Sequence, residues 1–313
     1  MPKSPSRSRD LAQTMNVVSQ QIERRIMTDG TDRSKFNRTT NLRRLVVVTA
    51  MVSVLVLGIG SRATATSEAQ ATARTVLVVG DSLVVQATSA LDQYNRADVT
   101  IVVDGGSGSA PCDWESGYLD PFSKRYLDFE SAFNAAHPST VVLAFTGNPG
   151  LDSTTTGCVD SSGNYSLGSL LANYRTALTA MATYASQHGA TVYLSASPPR
   201  NPATAAGSYS DGSGDVYYGF NGVGQINELY QSMVRSAAGR RFHWVYDTDA
   251  AVSVSNSNLS WQLTETCTSA ASSNCQDGRV QVRDGGYDAI HLDTSGAGAT
   301  LYAAGLLRRA LGT

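Results

Sequence analysis

Five short apolar runs rich in β-branched residues recur along the chain: Thr75–Val79, Val99–Val103, Thr140–Phe145, Thr191–Ala196 and Phe242–Tyr246. None alternates apolar with polar residues. A strand that faces water on one side shows such alternation, so these runs read as strands buried on both faces of a parallel sheet. Helical patterns fill the intervals. Asp120-Pro121 offers an N-cap with proline at the first helical position, predicting a helix to about Ala136 that stops before His137-Pro138. From Ser166 to His188 the residues Leu170, Leu171, Tyr174, Leu178, Met181 and Tyr184 share one face, and Gly189 follows as the terminator. Val223–Ala238 and Ser295–Leu311 complete the set. Strands alternating with helices predict an α/β protein, a three-layer α/β/α sandwich around a five-stranded parallel sheet, occupying residues 75–313 as one domain.

The residues before that domain read as a topogenic segment. Residues 1–44 hold ten Lys/Arg against four Asp/Glu, a local +6 within a formal −2, which leaves residues 45–313 at −8. This polar stretch reads as an n-region on the cytoplasmic side, and Met27 offers a second start. Leu45–Gly60 follows without a charge, as the apolar region of a signal peptide or a membrane anchor. Residues 61–74 are the linker, where Ala63-Thr64-Ala65 and Ser67-Glu68-Ala69 present small residues at cleavage spacing. The domain is therefore expected to be secreted or membrane-anchored outside the cytoplasm, with 45–60 as the tether in the second case. Its acidity argues against a nucleic-acid partner.

All four cysteines, Cys112, Cys158, Cys267 and Cys275, lie in the exported part, where disulfides form. Of the three pairings, the spacing favours Cys267–Cys275 as a short clip, leaving Cys112–Cys158 between two longer loops. A zinc site is the rival reading, disfavoured because the chain has no Cys-x-x-Cys and no close pair of histidines. Neither a metal nor a cofactor is expected.

Ligands of open parallel sheets bind beyond the carboxyl ends of the strands. Polar or glycine-rich motifs stand there after the first three strands: Gly80-Asp81-Ser82-Leu83, Asp104-Gly105-Gly106-Ser107-Gly108 and Thr146-Gly147-Asn148-Pro149. Asp288-Ala289-Ile290-His291 precedes the last helix. A serine hydroxyl needs a base within reach and a group that orients the base, and Ser82, His291 and Asp288 supply those functions. No complete Gly-x-Ser-x-Gly is present, which argues against an α/β-hydrolase elbow. Asp81 reads as pinning its turn. His137 and His188 sit at helix ends and His243 in a strand, as structural residues.

In these four blocks the chain resembles the SGNH, or GDSL, hydrolase family, over about residues 75–312. The resemblance implies a flavodoxin-like sandwich and no cofactor. It makes Ser82 the nucleophile and an oxyanion donor through its N–H, with Gly105 the second donor and Asn148 the third. Gly106 remains an alternative to Gly105. His291 becomes the general base and then acid, oriented by Asp288. Pro149 is expected to stiffen the loop bearing the amide.

Three long stretches, 104–119, 149–165 and 247–287, follow strands and should crowd the same edge as binding loops. Trp114, Tyr118, Trp261 and Tyr287 lie in them. Trp114 and Trp261 are candidate sugar-stacking residues, with burial as loop anchors the competing reading. The loops are rich in Ser, Thr, Asp and Gly. That composition suits a polar ester, such as an O-acylated glycan. The expected activity is an exported serine esterase acting on short acyl esters of carbohydrate. The alternatives are an acyltransferase that moves the acyl group onto an envelope glycan, and a lipase or lysophospholipase.

Overall fold

The computed structural model describes residues 73–121, 123–148, 150–151, 158, 167–200, 220–237, 242–256, 259–267, 275–277, 279–284, 291–295 and 297–313. Every described residue belongs to one compact unit within Ser67–Thr313. The n-region, the apolar run and the cleavage motifs lie outside the described residues. No helix among the described residues is long and apolar enough to cross a membrane.

Strands β1 (Arg74–Gly80), β2 (Val99–Gly105), β5 (Thr140–Ala144), β6 (Thr191–Ser195) and β7 (Trp244–Asp247) form one parallel sheet in the order β2-β1-β5-β6-β7. The absence of alternation now has its cause. Along β1, Leu77 and Val79 enter one apolar cluster while Val76 and Val78 enter the other, and all four are fully buried. Helix α1 (Ser82–Asp92) and helix α7 (Gly298–Leu311) cover the second face, through Leu83, Leu91, Leu301 and Leu306. Helices α3 (Phe129–Ala136), α4 (Leu167–Gln187) and α5 (Phe220–Ala237) cover the first, with Phe133, Leu178, Met181 and Met233. Each fully buried Leu contributes about 1.5–3 kcal/mol relative to exposure. Gly189 has φ +85° at the end of α4, the left-handed conformation expected of a helix terminator.

The segment 118–136 departs from expectation. Instead of one helix opening at Asp120-Pro121, Tyr118–Leu119 (β3) and Tyr126–Leu127 (β4) pair as a short antiparallel hairpin. The Asp120 carboxylate accepts the Ser123 hydroxyl inside the connecting turn, so it does not cap a helix. Asp128 does instead, accepting the Ser131 N–H at 2.7 Å at the head of α3. His137 terminates that helix in the left-handed region at φ +47°.

The long connections also carry structure. Helix α2 (Pro111–Ser116) lies in the first, and helix α6 (Asp249–Ser253) with the hairpin β8–β9 (Thr264–Thr266, Arg279–Gln281) in the third. Of the second, Gly150, Leu151 and Cys158 are described. Both disulfides pair as the spacing favoured, Cys112–Cys158 with Cα atoms 5.4 Å apart and Cys267–Cys275 at 5.9 Å. They suit an oxidising compartment. The Asp113 carboxylate reinforces the first bridge, accepting the N–H groups of Ala110 (2.8 Å) and Leu151 (3.0 Å).

Two predictions follow from this framework. Cys112–Cys158 spans 46 residues and Cys267–Cys275 spans 8, so chain-entropy arguments assign about 4 and about 2.5 kcal/mol. Denaturant titration of the two Cys-to-Ser double variants should give the larger loss for Cys112/Cys158. The second concerns Glu265 on β8, whose carboxyl burial pushes up to about 7, against the hydrogen bond from Gln262 and the charges of Arg283 and Arg279. A carboxyl with a raised folded-state pKa favours the fold while protonated, and this advantage is lost as pH rises between about 4.5 and 7. Glu265→Gln should therefore raise the melting temperature at pH 8 relative to wild type, with the gain vanishing near pH 4. Partial exposure keeps the effect small.

Candidate active site

The site starts where β1 ends. Gly80 closes the strand in a position without room for a side chain, because a Cβ would strike the Ala144 carbonyl of β5 and the Val84 side chain of α1. The missing side chain lets α1 start directly after the strand and pack against it. Asp81 takes the extended N-cap conformation (φ −95°, ψ −152°) and its carboxylate accepts the Leu83 N–H at 3.1 Å. Ser82 becomes the first residue of α1. Its N–H belongs to the helix-terminal donors that have no partner within the helix and that favour negative charge.

Ser82 Oγ lies 3.1 Å from Nε2 of His291, across 209 positions of sequence. The histidine segment is held from three sides. Leu292 N–H donates to Oε1 of Gln86 at 3.0 Å, Asp284 N–H donates to the His291 carbonyl at 3.1 Å, and Asp293 N–H donates to the Val282 carbonyl at 3.2 Å. Gln86 stands four residues after Ser82 in α1, on the same helix face. One helix therefore carries the hydroxyl and an anchor for the segment that carries the imidazole. Asp288, the expected orienting acid, lies outside the described residues, as does Tyr287. His137, His188 and His243 are exposed and away from this pair; the His188 ring packs on Tyr184 at 4.3 Å between centroids.

Asn148 reaches the same edge from the end of β5. Gly147 before it has φ +95°, which a side chain would strain. The segment 145–148 is fixed through its carbonyls. Tyr230 OH donates to Phe145 O (2.8 Å), Arg200 Nη2 to Thr146 O (2.9 Å) and Tyr174 OH to Asn148 O (2.6 Å). Burial drives both tyrosine pKa values upward, keeping these phenols as donors. The Asn148 side-chain amide donates to Asp81 Oδ2 at 3.1 Å, so Asp81 touches both the serine helix and the Asn148 loop. Pro149 lies outside the described residues.

Gly105 is the last residue of β2, in register with Gly80, rather than the first beyond the strand. A Cβ there would sit 3.1 Å from the Val85 nitrogen and 2.8 Å from its Cγ2, which places Gly105 against the first turn of α1. Gly106 N–H donates to the Gly80 carbonyl at 3.0 Å. Its donor is thus engaged with the strand that carries the serine turn.

The tryptophans differ. Trp114 is 1 % exposed, its ring lies in the core cluster and its Nε1 donates to Ser109 Oγ at 3.0 Å. Its expected place in a sugar-stacking platform is corrected: on helix α2 the indole fills the interior, the role its apolar area favours. Trp261 is partly exposed, and its buried Nε1 has no hydrogen-bond partner among the described residues. Sequence reasoning missed Gln86, Thr146 and Tyr174. Only Gln86 left a signal, a polar residue one helical turn after the serine.

No protein-family model and no curated protein matches the chain. Solved structures do. The chain is similar to a GDSL-like lipase from Bacteroides thetaiotaomicron (15% identity, TM-score 0.44, covering 76% of this chain and 88% of that one). It is similar to a carbohydrate acetylesterase family member from Sinorhizobium meliloti (14%, 0.45, 77% and 100%). A third is a catalytic mutant of an acetylxylan esterase from Geobacillus stearothermophilus (13%, 0.41, 75% and 93%). Likeness at this level carries no argument about activity, which rests on the geometry of the site.

Gln86→Ala removes the acceptor of the Leu292 N–H beside His291. It should lower turnover by roughly tenfold or more through misplacement of the imidazole, with KM nearly unchanged. Gln86→Glu, which keeps an acceptor oxygen, should recover most of the rate in steady-state kinetics.

Proposed function

We propose that the chain is a serine ester hydrolase of the SGNH type. The observation that carries this reading is the Ser82 hydroxyl 3.1 Å from the His291 imidazole, at the head of a helix whose cap, Asp81, accepts the buried Asn148 amide. In the proposed reaction the neutral His291 ring takes the proton from Ser82 as its oxygen attacks the ester carbonyl. The oxyanion that forms is met by the Ser82 N–H, with Gly105 N–H and Asn148 Nδ2 as further donors. His291 then protonates the leaving alcohol, and a water activated by the same ring releases the acid from the acyl-enzyme. Asp288 is proposed to orient the ring, as the four-block resemblance implies. No step calls for a metal or cofactor.

The substrate we infer is a short acyl ester of a carbohydrate, met outside the cytoplasm. The polar composition of the loops supports it, and so does the partly exposed indole of Trp261. Such an indole stacks on a sugar face.

A serine-directed phosphonate should label wild type and leave Ser82→Ala unlabelled, while His291→Ala loses nearly all turnover on 4-nitrophenyl acetate and Asn148→Ala falls by roughly 10²–10³. Equal labelling of wild type and Ser82→Ala would reject the nucleophile. Acetate esters should be cleaved faster than decanoates, and an acetylated oligosaccharide faster than a triglyceride, with Trp261→Ala raising KM for the oligosaccharide alone. Preference for long chains would favour the lipase reading. Acyl transfer to an added glycan in place of acid release would favour the transferase.

A further inference from the structure

We propose that Asp81 is a positioning residue for the oxyanion hole, orienting the Asn148 amide as well as capping the serine helix; this rests on the esterase reading above. Asp81 is 0 % exposed. Its Oδ1 accepts the Leu83 N–H, as an N-cap requires. Its Oδ2 takes no part in capping, yet it accepts three donors: Thr146 N–H at 2.7 Å, Thr146 Oγ1 at 2.6 Å and Asn148 Nδ2 at 3.1 Å. Capping alone would not call for that second set.

An ionised carboxylate only accepts hydrogen bonds, so Asn148 must turn the nitrogen of its amide toward Asp81. This removes the two-fold ambiguity of a terminal amide torsion. One Nδ2 hydrogen is spent on Oδ2, leaving the other for an anion. The Tyr174 hydroxyl holds the backbone of the same residue, so Asn148 is fixed at both ends before substrate arrives. Donors held in advance are worth more to a developing oxyanion than donors that must reorganise. A single buried carboxylate thereby sets the relative placement of Ser82, at the head of the capped helix, and Asn148, at the end of a different strand.

Asp81→Asn separates this role from capping. Asparagine is as good an N-cap as aspartate, and its oxygen still serves Leu83, but its NH2 then faces three donors. Turnover on 4-nitrophenyl acetate should fall about 10–100-fold with KM within about threefold. In an Asn148→Ala background the same substitution should change turnover less than about threefold, because the group it misplaces is gone. Additive losses in this cycle would overturn the proposal. If Asp81→Asn does not fold, a crystal structure of wild type with a phosphonate on Ser82 decides. The proposal expects Nδ2 to bridge Asp81 Oδ2 and the phosphonyl oxygen; an amide that has released Asp81, or that points away from the phosphonyl oxygen, rejects it. Failure of the esterase reading is a separate outcome, seen as phosphonate labelling that survives Ser82→Ala.

Discussion

A buried carboxylate between a helix and a neighbouring strand is the interaction on which this site depends. Asp81 has no solvent exposure, and burial pushes its pKa up from the ordinary value against the hydrogen bonds of Thr146 and Leu83 and the charge of Arg200. Such a group is costly to bury unless its lone pairs are used. Here four donors converge on it, from the first turn of α1 and from the residues after β5. Satisfying the carboxylate and shaping the site are therefore the same event.

The sheet makes that convergence possible. In a parallel sheet the carboxyl ends of adjacent strands lie at one edge, and the pairing of Gly80 with Ala144 on one side and Gly105 on the other brings three strand ends into register. The absence of side chains at Gly80 and Gly105 lets the helix of Ser82 close down on that edge. Peripheral ties then hold the flanking chain: Cys112–Cys158 and the Asp113 carboxylate join the segment after β2 to the segment after β5. Gln86 ties the histidine segment to α1.

Much of the fold was legible because its signals are local. A strand is apolar where both its faces are buried, and β1 is so from Val76 to Val79 and β5 from Val141 to Ala144. A helix on a sheet must repeat its apolar residues at helical spacing, and α4 does. Where a local signal serves more than one structure, sequence alone misleads. Asp120-Pro121 reads as a helix start, but its carboxylate serves the hairpin turn, and Asp128, eight residues on, caps the helix instead. Trp114 was ambiguous for a related reason: an indole in a loop serves equally as binding surface or as core, and only the packing of helix α2 against its neighbours settles which.

By itself the sequence determined the layer architecture, the two disulfide partners favoured by spacing, and the residue types able to carry acyl chemistry, because each rests on periodicity, separation or intrinsic reactivity. Only the tertiary structure decided distances between residues remote in the chain: Ser82 to His291 across 209 positions, Asp81 to Asn148 across 67, Gln86 to Leu292 across 206. It engaged the Gly106 N–H with the Gly80 carbonyl, a pairing that no local pattern announces. It also turned Asp81 from a turn-forming residue into the hub of the site. Hydrogen bonds form or fail over a few tenths of an ångström, and no pattern along the chain encodes that scale until the sheet has brought its strand ends together.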